Sequence, residues 1–213
     1  MSELTDNLAG KFIVLDGPDG SGKSTQVAML ADWLAEKGLT VTQTRDPGGT
    51  EIGDKIRTIL LDRKHTAMAI GCEILLYMAS RTQLMSEVIG PALSRSECVL
   101  CDRWVSSTVA YQVADQTATV KEVMDIYDLA LRKISPDLTV ILDIPAERGL
   151  SRLVGDPDRM EAKGVAFHRK VRQLFLQQAK SSPSRFAIID ACGTAHEVNQ
   201  QLQDCITNWG FVS

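Results

Sequence analysis

Residues 17–25 read Gly17-Pro18-Asp19-Gly20-Ser21-Gly22-Lys23-Ser24-Thr25, and the first eight satisfy the pattern G-x-x-x-x-G-K-[S/T]. The flanking sequence gives this stretch its meaning. Before it, Lys11–Asp16 (KFIVLD) is a short apolar run of the kind that forms a buried strand. After it, Ser24–Lys37 carries apolar residues at 27, 30, 31 and 34, a helical spacing that Gly38 stops. A glycine-rich turn between strand and helix lets several backbone N–H groups converge on one phosphate. The helix amino terminus adds partial positive charge at the same point. In such a loop Gly17, Pro18, Asp19, Gly20, Ser21 and Gly22 form the cradle. Lys23 neutralises the β- and γ-phosphates of a nucleotide such as ATP, the Ser24 hydroxyl ligates Mg2+, and Thr25 contacts the α-phosphate. The loop alone does not separate a kinase from a GTPase, an ATPase motor or a nucleotide-binding regulator. The chain carries no guanine-reading N-K-x-D motif.

Outward from the loop, strand and helix patterns keep alternating. Leu39–Thr44 reads as a strand and Glu51–Leu61 as a helix. Cys72–Leu93 reads as a long helix with a bend expected near Gly90-Pro91, where a ring replaces a backbone donor. Cys98–Cys101 reads as a third strand. Val120–Lys133 is a helix broken by Ser135-Pro136, and Leu138–Asp143 is a fourth strand. The polar stretch Arg152–Lys163, with Gly155, Asp156 and Pro157, is an exposed loop. Phe167, Val171, Leu174, Phe175 and Gln178 set out a helix, Phe186–Asp190 a fifth strand, and His196–Trp209 a closing helix. Five short apolar strands separated by helices predict an α/β fold: a parallel sheet covered on both faces, with ligands at the carboxyl ends of its strands. The 213 residues show no repeat, low-complexity tract or linker composition, so a single domain over 1–213 is expected.

Composition narrows the partners. The formal net charge of -4 argues against a broad grip on nucleic acid. No run of about 18 apolar residues suggests a membrane span. The first residues, MSELTDNLAG, lack the apolar block of a signal peptide. Five scattered cysteines then read as reduced thiols in a cytoplasmic protein. Cys98 and Cys101 form C-x-x-C inside an apolar run with no second pair at zinc spacing, so core cysteine is the expected role.

Three features fall just past strand ends. One is Thr44-Arg45-Asp46-Pro47-Gly48-Gly49-Thr50, another is Asp102-Arg103-Trp104, and between them lies the helix bearing Tyr77 and Arg81. Asp102 can orient a Mg2+ shell beside the phosphate loop, and Arg103 can clamp a phosphate with two parallel donors. Tyr77 and Arg81, at i and i+4, share a helix face. Spacing alone makes them a half-buried tyrosine and a solvated arginine; the sharper reading is a stacking ring beside a donor to a nucleobase.

Taken together these residues resemble the thymidylate kinases. The resemblance spans about residues 11–208 and rests on GPDGSGKST at 17–25, TRDPGGTEIGDKIR at 44–57, LLYMASRTQ at 75–83, DRWVSSTVAYQ at 102–112, PDLTVILD at 136–143 and DRME at 158–161. It implies a P-loop sandwich with a five-stranded parallel sheet and a short lid near 152–163, transfer of the γ-phosphate of ATP to dTMP, and a homodimer. It further implies that Arg45, Arg57 and Arg103 hold the dTMP phosphate. Tyr77 would stack on thymine, Arg81 would donate to its O4, Thr108 and Gln112 would complete the base contacts, and Tyr111 would lie against the sugar near C2′. Asp19 would lie near the acceptor and the metal, beside Ser24 and Asp102. Some members of the family carry a catalytic arginine at the position of Gly20. Its absence here resembles the variety that supplies the arginine from the lid, where Arg152 and Arg159 are the candidates and Arg152 is favoured. Three departures stand out: a short, weakly basic lid, Val113–Thr117 in place of a glycine-rich loop, and Trp104 in place of the usual Tyr or His, read as a packing change.

Overall fold

The computed structural model describes residues 3–115, 117–132 and 134–211. Five strands, β1 (Phe12–Asp16), β2 (Val41–Arg45), β3 (Cys98–Asp102), β4 (Leu138–Asp143) and β5 (Phe186–Asp190), form one parallel sheet in the order β2-β3-β1-β4-β5. β1 is buried along its whole length, which is why its sequence is a continuous apolar run rather than an alternation. Its side chains still alternate in direction. Ile13 and Leu15 pack on one face against α2 (Lys23–Glu36) and α10 (Ala195–Thr207). Phe12 and Val14 pack on the other, against α4 (Ile70–Leu84) and α7 (Val120–Leu131). The same alternation separates the two cysteines of C-x-x-C. Cys98 is buried in the first cluster and Cys101 in the second, on opposite sides of the sheet.

Three helices join those read from the sequence: α1 (Glu3–Leu8), α6 (Val105–Ala114) and α8 (Ala146–Ser151). The strand expected from Leu39 begins at Val41 instead. Leu39 belongs to the end of α2: Gly38 takes φ +87°, and the Leu39 N–H donates to Leu34 O at 3.1 Å. This is a glycine-stopped helix end with an apolar residue folded back on it. The long helix expected over Cys72–Leu93 is three pieces, α4, a π-helical turn at Met85–Ile89, and α5 (Gly90–Ser94). The Gly90 N–H bonds back five residues to Met85 O, and the wider turn accommodates the Pro91 ring in the next turn. The helix expected to run to Lys133 spans Val120–Leu131. Lys133, like Gln116 in the stretch after Gln112, lies outside the described residues.

Strand order places the site. β1 lies between β3 and β4, with Leu15 paired to Asp102 and Arg45 to Asp102 in the register. The turns that follow β1, β2 and β3 therefore open side by side at the carboxyl edge of the sheet, where chains of this kind bind ligands.

Candidate active site

Asp16 ends β1 with its side chain fully buried, and its carboxylate organises two turns at once. It accepts from the Gly17 N–H at 2.9 Å, from Ser106 Oγ at 2.5 Å and from Ser107 Oγ at 2.7 Å. The first bond fixes the start of the phosphate loop; the other two fix the start of α6. Gly22 caps α2 with φ +89°, leaving the first N–H groups of the helix facing the loop. Gly20 has φ +71°, and a Cβ there would sit 1.9 Å from Gly149 O, on α8. Lys23 is buried and folded onto its own loop, donating to Pro18 O at 2.8 Å, Gly17 O at 3.1 Å and Ser21 Oγ at 3.2 Å. Burial, and then the Arg103 charge, bring the Lys23 ammonium down to about 8. Ser24 Oγ donates to Asp102 Oδ2 at 2.5 Å.

Arg103 turns at φ +72°, its N–H tied to Leu15 O at 3.0 Å, which aims the guanidinium back over β1. Nη1 donates to Ser107 Oγ at 2.9 Å and to Gly17 O at 3.2 Å, and Nη2 pairs with Asp19 Oδ1. Burial opposes its charge, but the Tyr111 hydroxyl and then the carboxylates of Asp19, Asp16 and Asp102 more than offset that and hold it firmly cationic. Burial acts to raise the Asp19 carboxyl, and Arg103 followed by Lys23 outweighs it, so Asp19 titrates below its usual range. Arg57 is shifted the other way: burial and its neighbours Arg45 and Arg103 lower it. Arg57, crowded by two other guanidinium groups, marks a place for an anion.

The cavity bounded by these groups has a volume of about 380 Å³. Asp19, Gly20, Gly22, Lys23, Ser24 and Thr25 line one end. Arg45, Arg57, Asp102 and Arg103 line its middle, and Tyr77, Arg81, Thr108, Tyr111 and Gln112 are brought to the same space. Gly17, Pro18 and Ser21 lie in the loop behind this lining. Burial, and then Glu73, push the Tyr77 phenol well above its usual range, so the ring is a neutral wall. Tyr111 is buried, wedged edge-on against Phe167 and Phe175, with the Arg103 guanidinium 5.3 Å over its ring.

Arg81 corrects the solvated arginine that its spacing suggests. It is completely buried, with Nε donating to Asp46 Oδ2 at 2.9 Å and Nη2 to the same oxygen and to Thr108 Oγ1 at 3.1 Å. Its guanidinium also lies 5.1 Å from the centre of the Trp104 ring. Burial pushes the Asp46 carboxyl above its usual range, and the Arg81 charge and its two donors on one oxygen offset only part of that rise. Trp104 thus does more than fill space, and its Nε1 donates to Tyr127 Oη at 2.8 Å.

The two lid arginines do not line the cavity. Arg152, at the end of α8, donates to Ala191 O at 3.1 Å and Gly20 O at 3.4 Å. Arg159 donates to Leu60 O at 2.8 Å and to Glu73 Oε2 at 3.0 Å, and Glu73 also receives Gln112 Nε2 at 2.8 Å. The segment bearing Arg159 is thereby docked on α3 (Glu51–Leu61) and α4, while Asp158, Met160 and Glu161 reach the cavity wall. Sequence reasoning missed Asp16, Asp46, Glu73 and His168. Glu73 carried a signal: it stands one helical turn before Tyr77 and Arg81, so 73, 77 and 81 share one face.

A phosphate cradle at a helix amino terminus, sharing a cavity with an arginine cluster and an aromatic-walled pocket, defines a nucleotide-phosphorylating enzyme of the P-loop class. The particular family follows from comparison. The family profile described as Thymidylate kinase matches residues 15–202. The thymidylate kinase of Deinococcus radiodurans is 42% identical over 203 residues, covering 94% of this chain and 98% of that protein. That of Pseudomonas entomophila is 42% identical over 186 residues, covering 86% and 89%. The crystal structure of thymidylate kinase from Ehrlichia chaffeensis superposes with a TM-score of 0.76 at 28% identity, over 93% of this chain and 98% of that one. The chain belongs to the thymidylate kinase family, a group of nucleoside monophosphate kinases.

Proposed function

We propose that this cavity holds ATP and dTMP end to end and transfers the γ-phosphate to the acceptor phosphate, giving ADP and dTDP for dTTP synthesis. The observation that supports it is the single cavity shared by the phosphate loop, the Arg45–Arg57–Arg103 cluster and the Tyr77–Arg81 pocket. Phosphoryl transfer asks for in-line placement and relief of charge repulsion. Lys23 and the loop N–H groups hold the donor triphosphate. Arg45, Arg57 and Arg103 hold the acceptor phosphate and offset its repulsion of the donor. No protein base is required, because a phosphate oxygen is already a nucleophile.

Tyr77 stacks on the thymine ring. Arg81 retains Nη1, which among the described residues hydrogen-bonds only the weak acceptor Met78 Sδ at 3.2 Å, for a base carbonyl. Gln112 Oε1 is buried without a partner and faces a base N–H in this arrangement. Tyr111, held by its ring contacts, stands against C2′ and leaves no room for a ribose hydroxyl.

The hydroxyl–carboxylate pair of Ser24 and Asp102 suits a hard cation. No cluster of three acidic, His or Cys ligands occurs among the described residues, as expected where nucleotide phosphates and water complete an octahedral shell. Ser24 and Asp102 would hold Mg2+, which supplies charge neutralisation to the triphosphate when bound. Asp19 is better placed to orient the acceptor, since its oxygens face Arg103 and His168.

For the lid, Arg152 is favoured to reach the triphosphate because it already lies against the Gly20 carbonyl, whereas Arg159 is spent on Glu73 and Leu60. We take the protein to be a single-domain, cytoplasmic homodimer without nucleic-acid or membrane partners. Its described helices include none long and apolar enough to cross a membrane, and exposed Ile52, Ile59 and Leu75 on the packed pair α3 and α4 offer an apolar face for a second copy.

Measuring kcat/KM for dTMP, dUMP, UMP, dCMP, AMP and thymidine tests the substrate. dTMP is expected to be the best acceptor, and a better rate with any other overturns the assignment. ADP formation that does not depend on dTMP would favour a regulatory nucleotide-binding role.

A further inference from the structure

His168 lies in the first turns of α9 (Val165–Ser181), directly after the lid segment, and is 1% exposed. Among the described residues, neither of its ring nitrogens has a hydrogen-bond partner. Facing it is the phosphate-loop carboxylate: His168 Nδ1 stands 3.7 Å from Asp19 Oδ2, and that oxygen is buried and unpartnered as well. A ring nitrogen and a carboxylate oxygen, both buried, thus face each other about 0.8 Å beyond the usual hydrogen-bond length. Buried polar groups are seldom left in this condition unless another state of the molecule satisfies them.

The surroundings say which state that is. Phe167 meets the His168 ring edge-on at 5.3 Å and also packs on Tyr111, which walls the imidazole on that side. Asp19, by contrast, is held through its other oxygen by Arg103, and the Tyr111 hydroxyl also acts on its carboxylate. On the reading above, Arg103 must turn part of its guanidinium to the acceptor phosphate. Asp19 then loses a donor at the moment its own negative charge is brought near a second anion. A replacement donor on Oδ2 would keep it in place.

We propose that His168 is a positioning residue for phosphoryl transfer. Its Nδ1–H takes hold of Asp19 Oδ2 when the acceptor phosphate draws Arg103 away, and so fixes the phosphate-loop carboxylate beside the acceptor. The residue acts through Asp19 and touches neither nucleotide, as its absence from the cavity lining requires. Because α9 follows the lid, the contact also makes the acceptor site sensitive to where the lid rests. The proposal rests on the acceptor-site reading given above.

Three variants test it. The asparagine amide nitrogen stands close to the position of Nδ1, the glutamine amide nitrogen close to that of Nε2, and phenylalanine fills the space with no donor. His168→Phe and His168→Gln should lower kcat about tenfold to a hundredfold, in line with slight misplacement of a reacting group, with KM for ATP changed by less than about twofold. His168→Asn should recover most of the loss. A packing role would instead rank the variants by volume, with Phe the best tolerated, and that ranking overturns the proposal. In the unmodified protein, nitrogen NMR of the imidazole should show Nδ1 becoming a hydrogen-bonded donor on adding a dTMP–ATP bisubstrate analogue. An unchanged Nδ1 signal overturns the proposal even if a variant fails to fold. Absence of dTMP-dependent turnover in the unmodified enzyme would instead refute the acceptor-site reading.

Discussion

Lys23 carries a pH dependence that the loop geometry makes specific. It is buried among carbonyls with Arg103 beside it, and burial and then the Arg103 charge bring its ammonium to about 8 against an ordinary 10.5. For folding, the charged form is penalised below about pH 8, and the penalty is relieved as pH rises toward 10.5, because the unfolded chain then binds the extra proton. For nucleotide the sign reverses. A triphosphate favours the ammonium, so binding above pH 8 takes up as much as one proton, and affinity should fall by up to about tenfold per pH unit there. Calorimetry at pH 8.5 in buffers of different protonation enthalpy reads this uptake directly, and none at all would refute the assignment. At this scale the sequence was informative where a residue's type and neighbours sufficed: Lys23, Ser24, Asp102 and Arg103 lie where their motifs put them. It was silent on Asp46 as the partner of Arg81, because 35 positions separate them and only the folded chain makes the pair.

Among the elements, α4 holds the most information per turn. Its face of Glu73, Tyr77 and Arg81 serves the lid, the base pocket and the β2 turn in succession. The shared face of Tyr77 and Arg81 was legible from their spacing, but the full burial of Arg81 was not; Glu73 needed the same spacing extended backward. The π turn after α4 was half legible, since Pro91 announced a disturbance but not that it would be resolved upstream. Helix α6 was not legible as a helix, because β-branched residues and serines carry little helical propensity, and Asp16 and the packing against α9 settle its place. Replacing Glu73 by Gln should free the Arg159 segment from α4. Stability would fall by about 1–3 kcal/mol, the cost of leaving a partly buried charge without its partner. Trypsin should then nick the chain faster after Arg152, Arg159 and Lys163. An unchanged cleavage rate would mean that the contacts to Leu60, Leu61 and Asp115 hold the segment without Glu73.

Across the whole molecule, one sheet divides the interior into separate apolar clusters, and the alternation of β1 and β3 shares their side chains between the two faces. Trp104 is where the second cluster meets the site. It is fully buried, meets Phe12 edge-on at 5.1 Å, bonds Tyr127 and underlies Arg81. Trp104→Ala should cost about 3–5 kcal/mol and lower Tm by roughly 10 °C. KM for dTMP should rise because Arg81 loses its floor, and a variant with a reduced Tm but an unaltered KM would separate packing from site support. The meeting of Gly20 with Gly149 bears on history as well as mechanism. Any side chain at 20 drives into the backbone of α8, so an arginine cannot be exchanged into this loop while that helix keeps its present seat. If the lid supplies the catalytic arginine, as proposed above, moving that arginine to position 20 takes more than one substitution, because the root of the lid has to be rebuilt first.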